Sequence, residues 1–130
     1  MTAVTGHNSN ERYGTVIKTS TNQIIADEPA SMGGKDLGFS PKELLASALI
    51  ACTCATIRMY ADRKNWAVTG IEVQVSIERD DQQNITHITR NVSLEGDLDE
   101  AQIKRLLSVA NACPMHKILS NSIEILTSIV

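Results

Sequence analysis

Alternating apolar and polar residues predict two antiparallel strand pairs. The stretch YGTVIKTSTNQIIAD, residues 13–27, has two β-branched runs around residues 19–22, which is typical of a hairpin. The segments VTGIEVQVSIERD and ITHITRNVSLEG alternate more regularly, and DQQN between them predicts the turn of a longer pair. The final residues IEILTSIV are rich in β-branched side chains and predict a closing strand.

The strongest helix signal begins at Ser40 and Pro41. Serine is a favoured N-cap, proline suits the first helical position, and Glu43 stands where a capping box needs it. We expect this helix to run from Pro41 to about Asn65. It is apolar on nearly every face as far as Ile57, a pattern that predicts a helix enclosed by other elements.

The other segments complete an α+β chain. DLDEAQIKRLLSVANAC predicts an amphipathic helix capped near Asp97 or Asp99, and CPMHKILSNS predicts a short helix. Residues 1–11 are small and polar without periodicity, so we expect a loose N-terminal arm. The prediction is one domain over residues 1–130, α+β in class, with a mainly antiparallel sheet packed on a long buried central helix.

Charge and composition narrow the functional classes. Twelve basic and fifteen acidic residues give a net charge of -3, and no run of Lys or Arg could follow a phosphate backbone, so we expect no nucleic-acid partner. The longest uncharged stretch, Leu44 to Ile57, has 14 residues and is too short to span a bilayer. The start of the chain has no export signal, and three cysteines in such a chain predict thiols in a reducing cytoplasm.

Cys113 stands directly before a proline, at the predicted cap of the short helix. Free backbone N–H groups and the helix dipole lower the pKa of a thiol in that position. His116, three residues on, falls on the same helical face and could reach the sulfur or a substrate. The alternative is a small buried cap residue beside a solvated histidine.

Cys52 and Cys54 lie inside the long helix. Helical geometry separates them by roughly 200° of rotation, so only one can face a given site. This weakens a zinc site built from both of them with Cys113 and His116, because structural zinc needs all four ligands around one point. We therefore expect no metal, and no other cofactor. A disulfide from Cys113 to either helix cysteine remains open at this point.

The motifs together resemble a known superfamily. SPKELLASALIACTCATIRMYA, then two alternating strands, then ANACPMHKIL, is similar to osmotically inducible protein C and organic hydroperoxide resistance protein, OsmC and Ohr. The most specific features are the Pro-x-Glu-Leu helix start, a cysteine eleven residues after that proline, and a Cys-Pro step roughly sixty residues later. The resemblance covers nearly the whole chain and is to the OsmC-like branch.

The resemblance implies the roles of the site residues. Cys52 corresponds to the reactive cysteine and Cys113 to its resolving partner, while Cys54 has no counterpart and is expected to be packing. The RYG step places Arg12 on the family's thiolate-stabilising arginine. Many peroxidase members have a glutamate after the helix proline, where this chain has Lys42, and Glu43 comes one residue later.

The implied function is a thiol peroxidase that reduces organic hydroperoxides to alcohols through a Cys52 sulfenic acid and a Cys52–Cys113 disulfide. The family implies resetting by an external dithiol of lipoyl type, and an intertwined homodimer. Four apolar residues near the expected chemistry predict an apolar substrate pocket: Met32, Leu37, Phe39 and Met115. The alternative function is a redox or stress-related binding module without significant peroxidase turnover.

Overall fold

The computed structural model describes all of residues 1–130, in five strands and three α-helices. The chain divides into two compact units, Met1–Leu45 and Ala46–Val130. The predicted α+β class with antiparallel sheets is confirmed, whereas the single domain stays a prediction. The elements are β1 (Thr5–His7), β2 (Thr15–Lys18), β3 (Gln23–Ala26), α1 (Pro41–Lys64), β4 (Ala67–Asp80), β5 (Ile85–Asp97), α2 (Glu100–Ala110) and α3 (Pro114–Leu119).

The first unit contains a three-stranded antiparallel sheet in the order β1-β2-β3. The predicted hairpin is confirmed as β2 and β3, but the prediction of a loose arm over residues 1–11 is wrong for the part that forms β1. The side-chain amide of Asn8 donates to the carbonyl oxygens of Arg12 at 3.2 Å and Gly14 at 2.7 Å, which closes the β1–β2 connection. Residues 5–7 have no apolar periodicity of their own, but backbone pairing with β2 orders them as a strand.

A buried carboxylate organises the loop between β3 and α1. Asp27 accepts backbone N–H groups from Glu28 at 2.8 Å and from Lys35 and Leu37 at 3.2 Å each. Burial alone would raise the pKa of Asp27, but these hydrogen bonds and the Lys35 charge lower it. Gly34 lies so close to the Glu28 carbonyl that a side chain there would collide with it. The loop thus carries the chain to the Ser40 cap of α1.

The second unit packs the C-terminal part of α1 and α2 against the long β4–β5 hairpin. Strands β4 and β5 pair antiparallel over almost their whole length, as the alternation predicted. A capping box between Asp99 and Gln102 starts α2. The core of this unit is formed by five buried side chains, Ile57, Ala61, Val68, Leu106 and Ala110.

Helix α1 matches its predicted bounds closely, but only one stripe of it is buried within the chain. The buried residues Leu49, Thr53, Ile57 and Ala61 recur every four positions along one face. Burial on every face was therefore wrong for the single chain, in which Met59 remains 70% exposed. By length and composition alone α1 could cross a membrane, a test that the core helix of a globular protein also passes.

The C-terminal residues form no strand. Residues 122–130 lack regular structure and are exposed, although five of them are large apolar side chains: Ile123, Ile125, Leu126, Ile129 and Val130. The prediction of a closing strand is wrong for the single chain, because a strand needs a partner edge and none pairs with this segment. Just before it, α3 begins with Cys113 as N-cap and Pro114 at its first turn, as predicted.

Candidate functional site: a pair of neighbouring cysteines

The thiols of Cys52 and Cys113 lie beside each other, close enough for each to affect the ionisation of the other. Helix α1 supplies Cys52 from its middle, and the start of α3 supplies Cys113. Both cysteines are free thiols in the structure. Cys113 is 0% exposed, whereas Cys52 is half-buried. Cys52 is therefore the sulfur of the pair that a molecule from solvent can reach first.

The surroundings of the two thiols shift their pKa values in opposite directions. Burial raises the pKa of Cys52, and the adjacent Cys113 thiol raises it further. Burial also acts against ionisation of Cys113, but the Cys52 thiol and the backbone N–H groups at the start of α3 favour its charged form and lower the pKa of Cys113. Of the two thiols, Cys113 is therefore the one whose ionisation the surroundings favour.

Cys54 is a half-buried free thiol on α1 and is not part of this pair. Its separation from Cys52 follows from the turn of the helix, as expected. No group of three or more His, Cys, Asp or Glu side chains is arranged to hold a metal ion.

An arginine that the sequence analysis missed lies beside the pair. Arg90 of β5 donates to Thr53 Oγ1 at 3.1 Å, to Asn111 Oδ1 at 2.9 Å, and shares a hydrogen bond with His116 Nδ1 at 3.2 Å. A signal for it was present in the strand pattern. Arg90 occupies a position on the same strand face as Ile88 and Val92, where the alternation calls for an apolar residue.

A cavity of about 380 Å³ opens next to this arginine. Arg90 and His116 contribute polar groups to its wall, and Leu49, Ile88 and Leu119 contribute apolar ones. His116, predicted as a supporting residue, thus lines the cavity and shares a hydrogen bond through its ring with Arg90.

The remaining predicted site residues lie mostly in the first unit. Arg12 is an exposed residue with a positive φ of 31° in the loop before β2. Glu43 accepts the Ser40 backbone N–H at 2.9 Å, which completes the predicted capping box. The apolar residues Met32, Leu37 and Phe39 are more than half exposed, while Met115 is half-buried in α3. Their grouping into one substrate pocket stays a prediction.

Comparison with known protein families identifies the family to which the chain belongs. Residues 33–128 match the profile of the OsmC family, described as OsmC-like protein. The chain belongs to the OsmC-like protein family. The resemblance to the OsmC and Ohr superfamily that the motifs indicated is therefore confirmed. No curated protein sequence matches this OsmC-like chain.

Solved structures share the fold of this OsmC-like protein. A putative osmotic stress induced and detoxification response protein from Psychrobacter arcticus is 24% identical, with a TM-score of 0.78 over 91% of this chain and 88% of that one. An OsmC-like protein from Mycoplasma pneumoniae is 25% identical, with a TM-score of 0.77 over 91% and 86%. The organic hydroperoxide resistance protein OhrB of Bacillus subtilis is 24% identical, with a TM-score of 0.62 over 89% and 87%.

Proposed function

We propose that this OsmC-like protein is a thiol-dependent peroxidase that reduces organic hydroperoxides to alcohols. The neighbouring pair of Cys52 and Cys113 carries the proposal, because two thiols from distant parts of the sequence lie close enough to affect each other's ionisation. Family membership supports a redox role, and the similarity to an organic hydroperoxide resistance protein supports the substrate class. The proposed site of action is the cytoplasm.

The first step consumes the hydroperoxide. Cys52 as thiolate attacks the distal oxygen of ROOH, the O–O bond breaks, and the departing alkoxide takes a proton to leave as ROH. Cys52 is then a sulfenic acid. For this step Cys52, the more exposed of the two thiols, gives up its proton, and the neighbouring Cys113 is the group beside it that can take the proton when it is itself ionised.

The second step closes the disulfide. The Cys113 sulfur attacks the Cys52 sulfenic acid, an S–S bond forms, and hydroxide leaves with a proton as water. An external dithiol, of lipoyl type, then attacks the disulfide, restores both thiols and is itself oxidised to a disulfide. We propose Arg12 as a second cation for the Cys52 thiolate, and Glu43 as a supporting residue. Met32, Leu37, Phe39 and Met115 are proposed to contact the organic group of the substrate.

We further propose a homodimer. Apolar surface left open on α1 and along residues 122–130 supports it, because a second copy could cover both. Sedimentation at micromolar concentration should give twice the mass of one chain. A monomer under these conditions would contradict the proposal.

A turnover assay tests the proposed activity. Purified protein is mixed with cumene hydroperoxide and dihydrolipoamide, and peroxide loss is followed over time. We expect catalytic consumption by the wild-type protein and by Cys54→Ser, the matched control for loss of one thiol. The double variant Cys52→Ser with Cys113→Ser should show only the uncatalysed rate. Equal rates for wild type and double variant would overturn the proposal.

One observation favours a second candidate, a redox-responsive module without significant turnover. Cys113 is completely buried and the pKa of Cys52 is raised, and both features slow thiol chemistry. Under this alternative, one equivalent of peroxide would form the disulfide, but added dihydrolipoamide would not sustain further consumption. The same assay therefore separates the two functions.

A further inference from the structure

The cavity beside β5 has a half-buried cation in its wall. Arg90 donates hydrogen bonds to the Thr53 hydroxyl, the Asn111 amide oxygen and the His116 ring nitrogen, which are all neutral acceptors. The ion pairs of the structure involve other residues, so no carboxylate of the chain lies within ion-pairing distance of Arg90. The protein therefore supplies this arginine with hydrogen-bond acceptors but with no counter-charge. An anion that entered the cavity would provide one.

Donors in this wall remain free for a ligand. The three bonds of Arg90 use one Nη1–H and both Nη2–H groups, which leaves the Nε–H and the other Nη1–H without an acceptor. Because arginine can only donate, His116 Nδ1 is the acceptor in their shared bond, and the ring hydrogen lies on Nε2. Both residues line the cavity, so these unused N–H groups belong to its wall.

The rest of the cavity is largely apolar and contains no acidic side chain. Leu49, Ile88 and Leu119 contribute aliphatic groups, and Thr86 and Ser120 complete the lining. The volume of about 380 Å³ lies in the range of small-molecule sites. At roughly 30 Å³ for each non-hydrogen atom, it holds about a dozen of them. These features suit a small ligand that has both an anionic group and an apolar body.

Charge and shape favour a carboxylate over other anions. The cavity has one cation in its wall, which matches a ligand with a single negative charge. The two oxygens of a carboxylate can accept from neighbouring N–H groups of one guanidinium. Inorganic phosphate has more charge than Arg90 can neutralise and no apolar part for the aliphatic wall. The net charge of -3 on the chain also disfavours a multiply charged ligand.

We propose that this cavity is a binding site for a small organic acid. Arg90 and the Nε2–H of His116 bind its carboxylate, while Leu49, Ile88 and Leu119 contact its apolar body. The three hydrogen bonds to α1, the residue after α2, and α3 hold the guanidinium in place before the ligand arrives, which reduces the entropic cost of binding.

The site is separate from the proposed peroxidase chemistry. Neither cysteine of the pair lines the cavity, and none of the four apolar residues proposed to contact the hydroperoxide does so. Binding of the acid can therefore be measured without peroxide or dithiol, and its presence or absence does not depend on turnover.

Calorimetric titration of the reduced protein with octanoate tests the proposal. The comparison ligands are 1-octanol, which has the same apolar chain without the charge, and inorganic phosphate, which has charge without the chain. We expect octanoate to bind at least about tenfold more tightly than either, the usual effect of hydrogen bonds to a charged group. Equal affinity for octanoate and octanol would overturn the proposal. So would equal affinity for octanoate and phosphate, or no binding at millimolar octanoate.

Variants assign the binding to this cavity. Arg90→Gln should weaken octanoate binding at least about tenfold and change octanol binding little, because it removes the charge. Arg90→Lys should give an intermediate affinity, since lysine keeps the charge but donates from a single point. Arg63→Gln is the matched control, an exposed arginine of α1 outside the cavity, and should bind octanoate as the wild type does.

A cavity-filling variant covers the case in which Arg90→Gln does not fold. Leu119→Trp keeps Arg90 but occupies the space beside it, so octanoate and octanol should both bind more weakly. Circular dichroism checks that each variant is folded. Wild-type affinity for octanoate in folded Arg90→Gln would overturn the proposal, and so would wild-type affinity for both ligands in Leu119→Trp.

Discussion

Two helices of this protein begin with a small polar residue followed by proline, and the two caps are used differently. At the start of α1, Ser40 and Glu43 bond to each other's backbone in a capping box. At the start of α3, Cys113 makes no such cap bond to its helix. Its buried sulfur lies instead beside the Cys52 thiol of α1.

The two caps differ in which part of the chain lies against the cap residue. The Ser40 cap is completed by residues three positions along, so its role is local and structural. The Cys113 cap is buried against α1, and its partner thiol comes from roughly sixty residues earlier in the chain. The same type of helix start thus stabilises one helix and places a cysteine beside a second thiol at the other.

The largest expected difference between the caps is in turnover. Cys113→Ser should abolish dithiol-dependent peroxide consumption, because serine cannot form the disulfide that the reductant recognises. Ser40→Ala should keep most of the rate, since it alters only the start of α1. The measurement is steady-state peroxide loss with dihydrolipoamide. If Cys113→Ser consumed peroxide as fast as the wild type, Cys113 would have no part in the reaction.

Peroxide treatment should also show which cysteine of α1 forms a disulfide with Cys113. We expect a disulfide between Cys52 and Cys113, with Cys54 left as a free thiol, because Cys52 is the helix cysteine that lies beside Cys113. Peptide mapping after oxidation and alkylation measures this. A disulfide between Cys54 and Cys113 would show that the face of α1 that carries Cys52 was wrongly assigned to the site.

Local sequence signals predicted most of the fold, because caps, turns and alternation act over a few residues. The start of α1, the β4–β5 hairpin and the Cys113 cap all follow from such signals. The errors concern pairing at a distance. Strand β1 forms because β2 offers an edge, and residues 122–130 stay unpaired because the single chain offers none.

The candidate site was predictable in its cysteines but not in its arginine. The motif resemblance identified Cys52 and Cys113, whereas the contact of Arg90 with Thr53 depends on how β5 packs against α1. A charged residue on the apolar face of a strand was the available clue. It could indicate an unusual environment for Arg90, but it could not name Thr53 or His116 as partners.

A smaller effect is expected on the free energy of unfolding when the Ser40 cap is removed. Ser40→Ala should lower the free energy of unfolding by about 1 kcal/mol, the usual cost of removing a serine N-cap. Urea denaturation followed by circular dichroism measures the change. The slope of unfolding free energy against urea should stay constant, because the mutation alters little buried surface. A loss well above this value would mean that Ser40 does more than cap α1.

The smallest expected effect concerns the charge at the same cap. Hydrogen bonds from the Ser40 backbone N–H and hydroxyl lower the pKa of Glu43 from 4.5. A carboxylate whose pKa is lower in the folded state adds stability above pH 4.5, and this stability is lost as the pH falls through the folded-state value. Glu43→Gln keeps an acceptor for Ser40 but carries no charge. Its stability should therefore lie slightly below that of the wild type at neutral pH, and the two should converge on acidification. Urea titrations at a series of pH values test this, and a difference that persisted unchanged at acidic pH would show that the Glu43 charge is not its source.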